Sequence, residues 1–370
     1  MSGPLVLLAA GGTGGHLFPA EALANALSRR GVAVELVTDE RALRYGDTFP
    51  ARAMHTVPAG TPRSGSIVER GGAILRLGFG VLKALRLIRR LKPAVVVGFG
   101  GYPSVPPLLA ASLLGAPTVL HEANGVMGRA NRFLASRVDA IAAGFPLDDA
   151  ELAAKLTVTG NPLRPKALAA AGEPYPAEDG RLRLLVTGGS QGARVMADIV
   201  PAAVAALPEE LRGRLVIVQQ TRPEDMARVK AIYDGAAVAA ELASFFSDLP
   251  HRMAQAQLVI ARAGASTVSE LAAIGRAAIL VPLPHALDQD QASNAAVLKA
   301  TGAAEVVRQE DFTPRFLSGR LAQLLSDLPQ LRARAEKAKA AGVADAAERL
   351  AELTLRTAGV RPAAVAPAQI

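Results

Sequence analysis

An α/β fold of two doubly wound domains is predicted by three features of the sequence. Five apolar residues, Leu5-Val6-Leu7-Leu8-Ala9, lead into Gly11-Gly12-Thr13-Gly14-Gly15-His16 and then into Pro19-Ala20-Glu21-Ala22-Leu23-Ala24. That order reads as a buried parallel strand, a glycine turn and a helix with proline in its first turn. The same grammar returns once: Leu182, Leu184, Leu185 and Val186, then Gly188-Gly189-Ser190-Gln191-Gly192, then a helix from Ala193. Finally, 370 residues, half of them hydrophobic, exceed one typical core and suit two domains of about 150 to 200 residues. The expected class is α/β with two Rossmann-like domains facing a cleft, each opening with a glycine loop. Such a turn points backbone N–H groups and the positive end of a helix dipole at whatever sits above the sheet edge, which suits an anion or a sugar.

Taken in order, strand-like and helix-like segments alternate through the first domain, as a parallel sheet covered on both faces requires. After Leu5 to Ala9 come Val32 to Thr38, the region of Arg52 to Val57, a basic helix to Arg90, and Val95 to Val97. Val105 to Leu114, Thr118 to Leu120, Ala130 to Arg137 and Ala140 to Ala143 follow, and Thr157 to Arg164 reads as a last strand ending in a turn. Pro165 to Asp179, rich in proline, alanine and acid, reads as a linker. The second domain repeats the pattern with strands at Leu182 to Thr187, Leu215 to Gln219, Ala236 to Glu241, Leu258 to Ala261 and Ala277 to Val281. Helical sequence from Arg315 to Arg356 closes the chain before a Pro- and Ala-rich tail, Pro362 to Ile370, expected to be disordered. The expected boundaries are 1–164, a linker at 165–180, 181–345, and a terminal helix and tail at 346–370.

Composition narrows the chemistry. The absence of cysteine excludes disulfides and thiolate metal sites, and with five histidines a dedicated metal cage is not expected. The start has no basic segment followed by a long apolar one, so a signal peptide is not expected. The uncharged run between Lys92 and His121 is long enough to span a membrane, but Pro103, Pro106, Pro107 and Pro117 break it into strand, loop, helix and strand. The net charge of +8 is uneven: 18 Lys/Arg face 11 Asp/Glu up to Arg164, and 23 face 22 beyond it. From Arg63 to Lys92 the basic residues Arg63, Arg70, Arg76, Lys83, Arg86, Arg89, Arg90 and Lys92 face only Glu69, with Ile74, Leu75, Leu77, Phe79, Val81, Leu82, Leu85 and Ile88 between them. Two readings fit, an anionic membrane surface as partner or a helix with one face in the core and one in water. A nucleic-acid partner is not expected despite a pI of 10.1, because aromatic residues are 4% of the chain and no recognition motif is present.

Asp39 ends the second strand, where a dinucleotide enzyme places its ribose-binding acid; this keeps a nicotinamide oxidoreductase as a rival. Neither glycine loop has the G-x-G-x-x-G spacing, since Leu17 stands where the third glycine would, and no Gly-Lys-Ser/Thr follows either one. Further candidates follow apolar strands at Gly98 to Pro103, His121 to Gly125, Arg262 to Glu270 and Pro282 to Gln291, the carboxyl ends at which open α/β sheets bind ligands. Asp288-Gln289-Asp290 spells an acid-x-acid metal signature but has no second ligand cluster and reads as loop.

Five segments together resemble the MurG family of GT-B glycosyltransferases: Gly11 to His16, His121 to Gly125, Gly160-Asn161-Pro162-Leu163-Arg164, Gly188 to Ala193 and Arg262 to Glu270. The resemblance covers nearly the whole chain in order. It implies transfer of N-acetylglucosamine from its UDP ester to the 4-hydroxyl of the muramoyl sugar of lipid I, giving lipid II, by a peripheral protein at the cytoplasmic face of the bacterial inner membrane. It also implies UDP-N-acetylglucosamine, lipid I, an anionic membrane surface and proteins of the wall-synthesis machinery as partners, and no cofactor. A GT-B transferase with another acceptor is the nearest alternative.

Carried over by position, the resemblance implies a diphosphate contact at Ser190 and its loop, a nucleotide-sugar contact at Arg164, and a backbone contact to uracil at Phe246. Ala265, Ser266, Thr267, Val268, Ser269 and Glu270 match the segment at the sugar and ribose, with Glu270 as the ribose-hydroxyl acceptor. Gln291, or Gln289 with a shifted register, and Asn124 match donor-sugar contacts, and Thr13, Gly14 and Gly15 those of the first loop. Ala123 stands where many relatives have glutamine. Inversion of a UDP-α-sugar to a β-linkage needs one general base and stabilisation of the departing diphosphate. His16 is the candidate base, the alternative being that it caps the helix or orders the loop; His121 and Glu122 are reserves.

Overall fold

Strands buried on both faces read as unbroken apolar runs, and these form the centre of each sheet. The computed structural model describes residues 3–11, 14–39, 49–60, 67–189, 192–284 and 290–360. The first half contains β1 (Leu5–Ala9), α1 (Gly14–Arg29), β2 (Ala33–Thr38), β3 (Ala53–Thr56), α2 (Ile67–Leu91) and β4 (Val95–Gly98). It continues with α3 (Val105–Leu113), β5 (Thr118–Glu122), α4 (Arg129–Ala135), β6 (Ala140–Ala143) and β7 (Leu156–Val158). The strands form a parallel sheet in the order β3-β2-β1-β4-β5-β6-β7. Alternate side chains go to opposite faces. Val6 and Leu8 pack with Leu23 and Leu27 of α1, while Leu7 packs with Ile88 of α2 and Leu108 of α3. Gly98 lets α3 lie directly on β4, since a Cβ there would fall 2.3 Å from Leu108 Cδ1.

The second half contains α5 (Pro165–Ala171), β8 (Leu182–Thr187), α6 (Arg194–Ala205), α7 (Glu209–Arg212), β9 (Leu215–Gln220), α8 (Met226–Gly235) and β10 (Ala239–Ala243). Then come α9 (Leu249–Ala254), β11 (Leu258–Ala261), α10 (Ala265–Ile274), β12 (Ala277–Leu280), α11 (Asp290–Ala300), β13 (Ala304–Val306), α12 (Pro314–Leu325) and α13 (Leu328–Ala341). Its sheet is also parallel, in the order β10-β9-β8-β11-β12-β13. The last helix, α14 (Ala346–Thr357), returns to the first sheet, so one unit comprises Met1–Arg164 with Asp345–Ile370 and the other Pro165–Ala344.

Several elements differ from the sequence reading. The first helix begins at Gly14 and encloses Pro19, so Gly14, Gly15 and His16 are its first turn rather than a loop before it. The stretch read as linker opens with α5, whose Ala167 and Ala170 are buried. Its following segment is pinned to the second unit by Arg276, which donates to Pro174 O (3.2 Å) and lies 5.1 Å from the Tyr175 ring centroid. The closing helical sequence is three helices. Asp327 starts α13 by accepting from Gln330 N (2.9 Å), and Gly342 ends it. β13 carried no recognisable apolar run. Residues 362–370 lie outside the described residues. Among those described, no helix is long and apolar enough to cross a membrane, and the uncharged run after Lys92 folds as β4, α3 and β5.

Leu350, Ala351 and Leu353 of α14 belong to the same core cluster as Leu23 and Leu27 of α1. Glu348 adds ion pairs to Arg29 and Arg30, both at 2.6 Å. Leu350→Ala removes a fully buried side chain and is expected to lower unfolding stability by about 2–5 kcal/mol. Arg349→Ala, which removes only the exposed pair with Asp345, is expected to leave the urea midpoint nearly unchanged. Equal midpoints for wild type and Leu350→Ala would contradict the place of α14 in this core.

Candidate active site

In the first unit the strand order reverses at β1, which pairs with both β2 and β4, and crevices open at such switch points. His16 sits there in the first turn of α1. Its Nδ1 is 3.3 Å from Gly11 O, and a carbonyl only accepts, so in the neutral ring Nδ1 carries the proton and Nε2 is the basic nitrogen. Burial pulls the His16 pKa below its ordinary 6.5, opposed by the Gly11 contact. The loop after β4 closes on the ring. Gly100 and Gly101 have φ of +86° and +69°, and a Cβ on Gly101 would be 3.2 Å from His16 Cε1.

Glu122 and His121, at the end of β5, are placed differently from what a base requires. Glu122 Oε1 accepts from Asn124 N (2.9 Å) and Asn124 Nδ2 (3.1 Å), and Oε2 from Gly128 N (3.0 Å) and Asn131 Nδ2 (2.7 Å). Four donors occupy the carboxylate, which therefore organises the loop from Ala123 to Gly128. His121 is 1% exposed and stacks against Phe99 with centroids 5.4 Å apart. Burial pushes its pKa down to about 4; the Gly160 backbone opposes that shift and nearby His16 adds to it. Its side chain is sealed inside the unit. Asn124 is held to Glu122, and Asn161 Nδ2 donates to Ala123 O (2.9 Å). The Arg164 guanidinium lies 4.8 Å from the Phe18 ring centroid and acts on Glu21, whose pKa burial raises and Arg164 lowers. Asp39 is buried, and a Cβ on Gly11 would lie 3.1 Å from its Oδ1. Gly14 opens α1 and Gly15 is exposed in its first turn; Thr13 lies outside the described residues.

The second unit repeats the design at β8, which pairs with β9 and β11. Gly188 lies so close to Ala193 that a Cβ on it would be 2.1 Å from Ala193 N, and Gly189 and Gly192 have φ of +83° and +67°. Ser190 and Gln191 lie outside the described residues. Gln220, last residue of β9, braces the loop. Its Oε1 accepts from Thr187 Oγ1 (3.0 Å) and Gly188 N (3.1 Å), and its Nε2 donates to Gly189 O (2.9 Å) and Ser244 O (3.2 Å). Arg222 holds the far end by donating to Gly192 O (3.2 Å). No side chain caps α6, so its first turn is open to an anion.

After β11, buried Arg262 donates to Val281 O and Pro282 O (both 3.0 Å) and to Gln309 Oε1 (2.5 Å), tying three segments together. Gly264 starts α10 without a side-chain cap, leaving the amides of Ala265, Ser266 and Thr267 at its open end. Val268 departs from the expected ligand set: its side chain is buried and its N–H donates to Gly264 O (3.0 Å). Ser269 is partly exposed and Glu270 buried. Gln291 Oε1 accepts from Ala263 N (3.2 Å) and Leu283 N (3.0 Å), so its carbonyl joins the ends of β11 and β12. Phe246 is buried with the Arg252 guanidinium 4.4 Å from its ring centroid. Asp288 and Gln289 lie outside the described residues. Among those described, no three His, Asp or Glu gather as a metal site.

Sequence reasoning missed Gln220, Asn131, Arg222 and Asn294, whose Nδ2 donates to Ala263 O (3.1 Å). The one local signal was polar: Gln219-Gln220 interrupts an apolar strand at its carboxyl end.

The comparisons with known proteins agree with this arrangement. Residues 6–143 match the model of the glycosyltransferase family 28 N-terminal domain, and residues 183–350 that of the family 28 C-terminal domain. A Rhodopseudomonas palustris (strain BisB18) protein named UDP-N-acetylglucosamine--N-acetylmuramyl-(pentapeptide) pyrophosphoryl-undecaprenol N-acetylglucosamine transferase is 57% identical over 96% of each chain. A Methylobacterium nodulans protein of the same name is 58% identical over 96% of this chain and 97% of its own. The crystal structure of Acinetobacter baumannii MurG superposes with a TM-score of 0.78 at 30% identity, covering 95% of this chain and 99% of that one. The chain therefore belongs to the MurG family of glycosyltransferases, within glycosyltransferase family 28.

Proposed function

We propose that this chain transfers N-acetylglucosamine from UDP-N-acetylglucosamine to the C4 hydroxyl of the muramoyl sugar of lipid I, forming lipid II with inversion at the anomeric carbon. The observation that carries this reading is 57% identity over 96% of the chain to a relative named for that reaction. In the step, the acceptor oxygen attacks C1 opposite the diphosphate, a base removes the hydroxyl proton, and the C1–O bond breaks with its electron pair going to UDP. His16 is the proposed base, supported by a tautomer that puts the basic lone pair on Nε2 and by burial that keeps the ring neutral. The open start of α6, beside the glycine loop whose Gly188 and Gly189 are braced by Gln220, is the proposed seat of the diphosphate charge. Gly14 and Gly15, Asn124, Arg164, Phe246, the open start of α10, Glu270 and Gln291 complete the proposed substrate contacts.

Membrane docking through α2 is part of the same proposal. Its outward face is not the purely polar one of an ordinary surface helix. Ile74, Leu75, Phe79 and Leu82 are more than half exposed, and Arg76, Lys83, Arg86 and Arg89 are exposed beside them. Ala84, Leu87 and Ile88 take the core side. Exposed apolar residues among cations suit the surface of an anionic bilayer.

Three outcomes are expected. His16→Ala lowers kcat by about 10²–10⁴, read as UDP release with a short-chain lipid I analogue in EDTA, while calorimetric donor binding persists; activity within a few-fold of wild type would remove His16 as base. Because the neutral ring is the working form and burial lowers its pKa from the ordinary 6.5, kcat/KM falls as the pH drops through the His16 pKa, with the midpoint of that acid limb below pH 6.5. Reversing Arg76, Lys83, Arg86 and Arg89 to glutamate abolishes sedimentation with phosphatidylglycerol vesicles at low salt, and unchanged binding would refute docking through α2.

A further inference from the structure

We infer that Gln220 is a positioning residue for the donor, holding the phosphate-facing glycine loop in register with the segment that leads to the nucleoside contact. The inference rests on the proposed reading of the second unit as the UDP-sugar site. The side chain makes four hydrogen bonds, all that an amide of its kind supports with two donors and two acceptor sites. Two of them fix Gly188 N and Gly189 O on consecutive residues. A third, to Thr187 Oγ1, anchors the end of β8. The fourth runs from the same Nε2 to Ser244 O, two residues before Phe246. One amide nitrogen thus joins the loop proposed for the diphosphate to the strand end proposed for uracil.

The loop needs this brace. Gly189 and Gly192 adopt left-handed φ values that glycine reaches readily but does not prefer over others, so the loop backbone has no intrinsic reason to hold one arrangement. Gly188 N, bonded to Gln220, is aimed into the unit, and Gly189 O is held by the same side chain. Gln219 supplies the internal contrast. It lies on the opposite face of the same strand, fully buried, and its side-chain hydrogen bond, Oε1 accepting from Tyr233 Oη (2.6 Å), points to α8 and not to the described loop residues.

The test compares full-length wild type, Gln220→Met, Gln220→Glu and Gln219→Met by calorimetry with UDP and with uridine, alongside thermal midpoints. Gln220→Met keeps side-chain length and removes all four bonds; Gln220→Glu keeps the acceptors and turns the donors to Gly189 O and Ser244 O into repulsion. Both are expected to weaken UDP binding at least ~10-fold and to reduce the ratio of UDP to uridine affinity by a similar factor, about 1.4 kcal/mol per tenfold step. Gln219→Met is expected to lower the thermal midpoint and leave that ratio within twofold of wild type. A ratio unchanged in Gln220→Met, or reduced equally by Gln219→Met, overturns the assignment. Wild-type protein that binds no UDP overturns the donor reading itself, and the role of Gln220 with it.

Discussion

A buried polar side chain must bond to something, and at the ends of these two sheets that constraint shapes the backbone. Leaving such a group unpaired costs about 1–3 kcal/mol, so each one recruits main-chain donors and acceptors from the nearest loop. Glu122 does this in the first unit by gathering Asn124, Gly128 and Asn131. Gln220 does it in the second by gathering Thr187, Gly188, Gly189 and Ser244. Both stand at the carboxyl end of a strand, and both bond main-chain groups of the loop that follows or adjoins it. Arg262, Gln291 and Asn294 extend the same arrangement around Ala263.

Fixed backbone amides are what this chemistry asks for. The transition state of an inverting transfer places negative charge on a departing diphosphate, and preorganised dipoles stabilise that charge without rearranging as it develops. Open helix starts at α6 and α10 add their dipoles in the same sense. The acceptor side has a different demand, one neutral base of modest strength. The proposed base, His16, has its Nδ1 engaged by Gly11 O and a burial that disfavours the charged ring, properties that suit this demand. His121 is the instructive contrast. Deeper burial makes it a core residue packed on Phe99, beyond the reach of a substrate.

Much of the fold is legible along the chain because its signals are local. The runs of β1, β4, β11 and β12 are apolar at nearly every position, as two-sided burial dictates, and the glycine turns mark where strands give way to helices. What was misread depends on distant partners. Pro19 looks like a helix start, but tertiary packing of Leu17 and Ala20 carries the helix back through two glycines to Gly14. α14 has an apolar stripe but nothing in it says which sheet it will cover; that is decided by α1 and by the Arg29 and Arg30 pairs with Glu348. β13, only Ala304–Val306, is a strand because β12 offers it an edge. In the candidate site the residue types were readable and their roles were not. Glu122 has the chemistry of a base, and only the four donors around it show that it is spent on the loop. Gln220 looks like an ordinary strand end until Gly188 is seen beside it.

The reaction itself is tested most directly by the product. Incubation with UDP-N-acetylglucosamine and a short-chain lipid I analogue, followed by mass and proton NMR analysis of the isolated lipid, should reveal one added N-acetylglucosamine in a β-linkage to the muramoyl C4 oxygen. An α-linkage would contradict the single in-line displacement. Release of free N-acetylglucosamine with no lipid-linked disaccharide would contradict the acceptor.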